Sequence, residues 1–274
     1  MSPSVKSASR VLEILELFER ERRSLSLLKV RTLLNYPRSS AAVLLKTLVS
    51  HGYLHFDRTS QTYFPTTRLA AVGHWVEPSV LRDSHIADGI GWLQRRTGLA
   101  VVLAGRTDVQ VQYLHIAHPA ANPLRLRIKP GDLRPLAHSA MGWALLAPQR
   151  DSDIAPIVRR INHYGLEERA ELAALMARIR DVRRTGIAFS RGCVTPGFGM
   201  LSIPLPSPVC DRQVALGLTG SLSVMEGQLT ALIRLLKQFA AGREAIAADA
   251  PPAPDQLPVN RPARLSATAR TPSA

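Results

Sequence analysis

The chain has 274 residues, and 35 lysine and arginine residues against 21 aspartate and glutamate residues give it a formal net charge of +14. This length allows two domains with separate hydrophobic cores, and the positive charge favours polyanionic partners such as nucleic acid. Cys193 and Cys210 are too far apart for a C-x-x-C motif and no apolar segment reaches membrane-spanning length, which argues against a zinc-binding or membrane protein.

The first predicted element is an amphipathic helix over residues 5–19. Its apolar face is predicted to contain Ala8, Val11, Leu12, Leu15 and Phe18, which recur at helical spacing. Glutamates at positions 13, 16 and 19 interrupt the segment, so it lacks the uncharged stretch of a signal peptide. We therefore expect a core helix in a protein that stays in the cytoplasm.

Two more helices and a hairpin are predicted next. A short helix covers Ser26 to Leu34, the turn at residues 35–37 ends it, and a third helix runs from about Arg38 to Ser50. Residues 53–56 and 61–64 are rich in aromatic side chains and flank turn residues 57–60, a pattern typical of a β-hairpin. Residues 1–66 are therefore predicted to form a winged helix-turn-helix domain.

The rest of the chain is predicted to contain a linker and a second domain. Residues 67–97 are assigned to a helical connector and a longer helix from Ser79 to Thr97. Strands are predicted at 99–104, 109–117, 124–128, 186–190, 199–206 and 213–220, with helices at 138–147, 151–161 and 167–185 and a last helix through Phe239. This order predicts an α+β sensor domain over residues 98–244, with helices on a largely antiparallel sheet. Residues 245–274 are rich in Pro, Ala and Ser and are predicted to be a disordered tail.

The third helix has two different faces. Ala41, Leu44, Leu45 and Leu48 are expected to pack into the domain core. A helix fits the major groove of B-DNA, and hydroxyl and amide groups near its N-terminus can meet phosphates. The DNA-binding candidates are Arg38, Ser39, Ser40, Ala42, Val43 and Lys46 on the opposite face, with Arg58 at the hairpin tip. The alternative is that the basic side chains only solvate a small helical domain; the helix, turn, helix, hairpin order favours double-stranded DNA.

The segment NYPRSSAAVLLKTLVSHGYL resembles the recognition-helix region of the IclR-type family of bacterial transcriptional regulators. The matching positions are Pro37, Ser39, Leu44, Leu45, Thr47, Leu48, His51, Gly52, Tyr53 and Leu54. The segment SVKSASRVLEILELF resembles the family's first helix, and PLRLRIKPGDLRPLAHSAMGWALLA and RRTGIAFSRGCVTPGFGMLSIPLP resemble two stretches of its sensor domain. The resemblance thus covers about residues 4 to 243.

This resemblance implies a winged helix, a linker helix that helps dimerise, and a GAF-like effector domain that often forms tetramers. The chain would then be a ligand-controlled repressor or activator and a dimer or tetramer. The family often has a polar or basic pair where Ala42 and Val43 stand here. Base readout would therefore use fewer hydrogen bonds, with apolar contacts to thymine methyl groups.

The resemblance also places a pocket for a small organic acid at the N-terminus of the helix that begins near His138. Main-chain N–H groups of Ser139, Ala140, Met141 and Gly142 would favour a carboxylate there. The family's other pocket positions fall on Ser190, Met200, Gly217 and Thr219. Their modest polarity predicts a roomy, apolar pocket for an aromatic or longer-chain acid. The alternative is that Met141, Phe198 and Met200 are ordinary core residues.

Other functional classes have less support. No G-x-S-x-G, G-x-x-x-x-G-K-S/T or H-E-x-x-H motif is present, and no known catalytic spacing occurs around His138, Asp181 or Cys193. The chain is therefore predicted not to be an enzyme and to need no metal or cofactor. The remaining alternative is a ligand sensor or scaffold whose winged helix binds protein instead of DNA. Only a DNA complex would show the steep salt dependence of counterion release.

Overall fold

The computed structural model describes residues 5–76, 80–81, 84–119, 128–206, 208–209 and 212–241. The N-terminal part consists of α1 (Lys6–Glu21), β1 (Leu25–Ser26), α2 (Leu27–Leu34), α3 (Arg38–Ser50), β2 (Leu54–Asp57) and β3 (Thr62–Pro65). The predicted helices and hairpin are present, and Leu25 and Ser26 add a third strand by pairing with Tyr63 and Thr62. A two-residue strand is too short to show a period in the sequence.

The core of the N-terminal part lies between its three helices and the hairpin. Ile14, Leu17 and Phe18 of α1 are buried there, together with Leu45 of α3. The predicted apolar face of α1 is wrong at two positions, because Ala8 is exposed and Leu12 is 59% exposed. The helix is rotated toward Ile14 and Leu17, whose side chains meet α2 and α3. The hydroxyl of Tyr36 donates a hydrogen bond to the Glu13 carboxylate and ties α1 to the turn before α3.

The connecting segment contains α4 (Thr67–Gly73) and α5 (Ser84–Thr97). The predicted start of the second helix at Ser79 lies outside the described residues. Phe239 packs directly over Gly89 of α5, where a Cβ atom would lie 2.1 Å from the ring, so only glycine permits this close approach.

The sensor sheet contains six strands in the order β6-β5-β4-β9-β8-β7, and every neighbouring pair is antiparallel. The strands are β4 (Ala100–Thr107), β5 (Gln110–Ala117), β6 (Leu133–Pro135), β7 (Ala188–Arg191), β8 (Phe198–Pro204) and β9 (Val214–Ser221). The strand predicted over 124–128 falls almost entirely outside the described residues. An antiparallel sheet with both faces covered buries nearly every strand residue, as β4 does.

Helices cover both faces of this sheet. One face carries α6 (Ala140–Leu146), α7 (Asp151–Tyr164) and α8 (Leu172–Thr185), and the other carries α5, α9 (Leu222–Gly227) and α10 (Leu229–Ala241). Val102 of β4 faces the first group and Val101 the second, since side chains alternate along a strand. The predicted tail over 245–274 lies outside the described residues. None of the helices described combines the length and apolarity needed to cross a lipid bilayer.

Candidate DNA-binding surface and effector cavity

The outer face of α3 is exposed as the sequence pattern predicts. Ala41, Leu45 and Leu48 are buried, whereas Arg38, Ser39 and Lys46 are exposed, and Val43 is 64% exposed. Ala42 is half-buried between the two faces. Pro37 immediately precedes the helix, so the helix direction is fixed at the end that carries Arg38. This face offers two cations and an apolar side chain within three turns.

A tight turn places Arg58 at the tip of the hairpin. Asp57 organises the turn, because its carboxylate accepts the Ser60 hydroxyl at 2.6 Å and the Thr59 main-chain N–H at 2.9 Å. These two hydrogen bonds, of which the one from Ser60 has the larger effect, hold the pKa of the Asp57 carboxyl below its usual range. The amide of Gln61 donates to the Arg58 carbonyl oxygen at 2.7 Å, so the guanidinium of Arg58 extends from a fixed backbone into solvent.

The cations of this surface have no acidic partners within the part of the chain that is described. Arg38, Lys46 and Arg58 form no ion pair there, although other surface arginines, such as Arg23 and Arg150, do. Unpaired cations on one surface give the positive potential that a phosphate backbone requires.

Ser40 differs from the other candidates on α3. Its hydroxyl accepts a hydrogen bond from Arg10 Nη1 at 2.9 Å, which braces α3 against α1. Sequence reasoning missed Arg31 of α2, which lines a groove of about 380 Å³ together with Arg38, Gln61 and Tyr63. The signal was available, since Arg31 is a cation on the helix that precedes α3.

A cavity in the sensor domain brings together five of the eight effector residues chosen from the sequence. Its lining from the α6 side includes Ser139 and Met141, and its lining from the sheet includes Ser190, Met200 and Thr219. Both edge strands, β6 and β7, contribute residues, so the sheet must curve around the cavity. The remaining lining residues are Tyr113, Ile128, Arg134, Cys193, Val194, Thr195, Phe198 and Gly199.

The other three predicted residues are placed beside the cavity. Gly142 packs against main chain, since a Cβ atom on it would lie 1.8 Å from the Leu136 carbonyl oxygen. Gly217 lies under two methionines, where a Cβ atom would lie 2.7 Å from Met141 Cε and 2.9 Å from Met200 Sδ. Ala140 is fully buried in the core between the sheet and α6 to α8.

The cavity is smaller than the sequence comparison predicts. Its volume is about 40 Å³, because the side chains of Met141 and Met200 occupy the space above Gly217. Methionine has three rotatable side-chain bonds and adapts to irregular spaces. The two methionines therefore form a floor that can rearrange, rather than an open pocket.

Three polar side chains of the cavity are already hydrogen-bonded or well buried. The Ser139 hydroxyl donates to the Pro135 carbonyl oxygen at 2.6 Å and accepts the Gly142 N–H at 3.1 Å, so it caps α6. The Thr219 hydroxyl donates to the Gly199 carbonyl oxygen at 2.8 Å. Burial raises the pKa of the Tyr113 phenol.

His138 belongs to a structural network instead of the cavity. The Glu167 carboxylate is nearly fully buried and accepts the main-chain N–H groups of Leu136 and Ala137, at 3.0 Å and 3.2 Å. His138 Nδ1 lies 2.8 Å from the same carboxylate. These bonds anchor the segment that leads into α6.

Comparison with known proteins gives matches over both parts of the chain. The family model described as the IclR helix-turn-helix domain matches residues 7–58. The model described as the bacterial transcriptional regulator IclR C-terminal domain matches residues 88–243, more than half of the chain.

Individual relatives agree with these matches. The HTH-type transcriptional regulator XynR of Escherichia coli K12 is 24% identical over 208 residues, which cover 74% of this chain and 81% of XynR. The crystal structure of an IclR transcriptional regulator from Alicyclobacillus acidocaldarius has a TM-score of 0.66 at 22% identity, covering 90% of this chain and 99% of that one. An IclR homologue from Microbacterium hydrocarbonoxydans, solved with 4-hydroxybenzoate, has a TM-score of 0.63 at 17% identity, covering 89% of this chain and 100% of that one.

Proposed function

Because the chain belongs to the IclR family of bacterial transcriptional regulators, with a DNA-binding helix-turn-helix domain and a C-terminal effector domain, we propose that it is an effector-controlled regulator that reads double-stranded DNA through α3. Arg38, Ser39, Ser40, Ala42, Val43 and Lys46 form the reading helix in this proposal, and Arg58 reaches the backbone or minor groove beside it. The observation that carries it is the outer face of α3, where two cations without an ion-pair partner among the described residues flank the exposed Val43. Such a regulator acts in the cytoplasm, where its DNA lies.

The individual residues have different tasks in this proposal. Arg38 and Lys46 bind phosphates or base edges from the two ends of the exposed face, and Val43 contacts thymine methyl groups. Ser40 accepts the hydrogen bond from Arg10, so it fixes α3 against α1 and adds at most one contact to the DNA backbone. Arg31 joins Arg38 at the groove beside α2. Affinity would depend mainly on the cations and specificity on few side chains.

We further propose that the regulator works as a dimer or as a tetramer built from two dimers. A group of exposed apolar side chains on one short segment supports this, because such groups mark protein–protein interaction sites. They are Val72, Trp75 and Val76 on and after α4, between 46% and 63% exposed. A two-fold dimer would place two α3 helices in major grooves with half-site centres about 34–36 Å apart or a multiple of this.

The domain division follows the same proposal. Residues 1–66 bind DNA, residues 67–97 link and dimerise, and residues 98–244 sense the effector. Effector binding would change the relative placement of the two DNA-binding domains through the linker.

We propose that the effector is a small organic acid bound in the cavity between α6 and the sheet. Ser139, Ala140, Met141 and Gly142 form the helix side of this site and Ser190, Met200, Gly217 and Thr219 the sheet side. The relative from Microbacterium hydrocarbonoxydans was solved with such an acid, 4-hydroxybenzoate. A ligand of that size requires Met141 and Met200 to move away from Gly217, since the free volume is about 40 Å³.

The DNA-binding proposal is tested by salt dependence. Genomic fragments recovered with the purified full chain supply a duplex, and fluorescence anisotropy measures its affinity from 50 to 300 mM salt, about the range over which phosphate contacts dominate. Each of R38A, K46A and R58A is expected to weaken binding and to reduce the slope of log K against log salt by about 0.9.

Arg180→Ala is the matched control, since Arg180 is an exposed arginine on α8 of the sensor domain. It should leave the slope unchanged. Wild-type slopes in R38A, K46A and R58A would contradict the proposal, and a bound protein partner with no salt dependence would favour the scaffold alternative.

A further inference from the structure

One cation lies inside the sensor cavity, at Arg134 of strand β6. Arg134 is paired with Val111 of β5, and paired residues of neighbouring strands lie on the same face of a sheet. Val111 is fully buried in the core under α6 to α8. The Arg134 side chain therefore points to the cavity side, and only 24% of it is exposed.

Arg134 keeps free hydrogen-bonding capacity in this position. Its Nη2 lies 2.9 Å from Asp132 Oδ2, and its Nη1 donates to the Leu133 carbonyl oxygen at 3.0 Å. Its guanidinium also lies over the Tyr113 ring, 5.2 Å from the ring centre. A guanidinium has five N–H donors in a planar fork, so donors remain for the oxygens of a ligand. The ring and Asp132 hold the fork in a fixed orientation.

A second unused group comes from the opposite edge of the sheet. Ser190 of β7 is 4% exposed and lines the same cavity, and its hydroxyl forms no hydrogen bond with the residues that are described. The other two serine and threonine hydroxyls buried there, on Ser139 and Thr219, already have main-chain partners. A hydroxyl that is open to the cavity and has no protein partner can donate a hydrogen bond to a polar group of a ligand, or accept one from it.

These observations define the chemistry of a ligand. Arg134 is the only charged side chain among the described residues that line the cavity. The wall between Arg134 and Ser190 is largely apolar, with Met141, Met200 and Phe198. A single carboxylate at the Arg134 end can be matched, whereas a second charge at the other end would meet only neutral groups.

We propose that Arg134 is the residue that makes this regulator select monocarboxylates. The guanidinium binds the ligand carboxylate while it still contacts Asp132, the apolar body of the ligand lies against Met141 and Met200, and Ser190 binds a polar substituent at the far end. This inference rests on the proposed effector function and adds the residue that determines the charge of the effector. Charge-assisted hydrogen bonds of this type change affinity by about 10- to 100-fold.

The test compares acids with their neutral amides. Isothermal titration calorimetry on the full chain uses benzoate, 4-hydroxybenzoate and hexanoate, each beside its amide. At least one acid should bind the wild type at least about 10-fold more tightly than its amide. In R134Q the affinity for the acid should fall by about 10- to 100-fold, to the affinity for the amide, while the affinity for the amide stays the same.

Two further variants make the result specific. D132N/R134Q removes both charges, so it should show the same loss without an unpaired Asp132 that repels the ligand. Arg191→Gln is the matched control, since Arg191 is also stacked on an aromatic ring, at 4.5 Å from the centre of Phe189, and paired with Glu226 at 2.9 Å. Its neighbour Ser190 faces the cavity, so Arg191 lies on the other side of β7 and its loss should leave binding unchanged.

The possible failures can be told apart. Wild-type affinity for the acids in R134Q and D132N/R134Q would overturn the role of Arg134 and leave the organic-acid effector intact. Equal binding of acid and amide by the wild type would overturn it without any variant. Absence of binding by every acid would overturn both the inference and the proposed effector class, and the salt test of DNA binding would still stand.

Discussion

Gly142 is the position where the structure makes the sharpest prediction about the sensor domain. It is a buried glycine within α6, and replacing a helical glycine by alanine ordinarily stabilises a protein by about 0.5–1 kcal/mol. Here the added Cβ would lie 1.8 Å from the Leu136 carbonyl oxygen and 2.6 Å from the Leu136 carbonyl carbon. These are main-chain atoms that Glu167 holds through the Leu136 N–H, so they cannot rotate away as a side chain would.

This clash decides whether G142A stabilises or destabilises the protein. Real Cβ contacts are essentially never shorter than 3.0 Å, so α6 and the 136–137 segment must separate by about 1.2 Å. Overpacking of this kind costs about 1–3 kcal/mol and exceeds the gain from removing a glycine. We expect G142A to destabilise the sensor domain by about 2 kcal/mol, which lowers the melting temperature of a domain this size by about 4–8 °C.

Circular dichroism of the full chain on heating measures this effect. The matched controls are G73A in α4 and G227A in α9, since a Cβ atom on either glycine would meet nothing within 4 Å. Both should be neutral or slightly stabilising. A G142A protein that melts at or above the wild-type temperature would refute the packing argument and the position of α6 beside the cavity.

Two other predictions concern hydrogen bonds. Ser139→Ala should lower the free energy of unfolding by about 1 kcal/mol, because a helix cap is lost. The affinity for the acid, measured by calorimetry, should change little, because the Ser139 hydroxyl is already hydrogen-bonded to the Pro135 carbonyl oxygen and the Gly142 N–H. A large loss of affinity with unchanged stability would contradict this. Burial and, as the second cause, the hydrogen bond to Glu13 raise the pKa of Tyr36 to about 12. The stability that this bond gives should be fully present below pH 10, the usual tyrosine pKa, and lost as the pH rises through about 12. The difference between the ultraviolet titration curves of the wild type and Y36F gives the ionisation of Tyr36 alone, and a midpoint of that difference near pH 10 would show the assignment to be wrong.

Much of the DNA-binding surface could be predicted from the sequence. The period of apolar residues identifies α3 and separates the buried Ala41, Leu45 and Leu48 from the exposed Arg38 and Lys46. This works because a helix repeats every 3.6 residues, so local spacing alone fixes which face is apolar. The same reasoning failed for Leu12, since the packing of α1 against two other helices rotates it toward Ile14 and Leu17.

The sensor cavity was only partly predictable. Resemblance to a known family indicated Ser139, Met141, Ser190, Met200 and Thr219, and all five line the cavity. Neither the resemblance nor the strand pattern indicated Arg134. Its side chain faces inward only because β6 pairs with β5 so that Arg134 lies opposite Val111, and a shift of one residue would turn it to the other face.

The amino-acid sequence therefore determined most of the helices and strands, the family, and the exposed face of α3, because each depends on patterns within short segments. The tertiary structure decided that Arg134 and Ser190, from opposite edges of one sheet and 56 positions apart in the chain, line a single cavity. It also decided that two methionines fill the space over Gly217. Such contacts join segments distant in the chain, and their geometry is set by strand register and helix packing, which local sequence patterns do not contain.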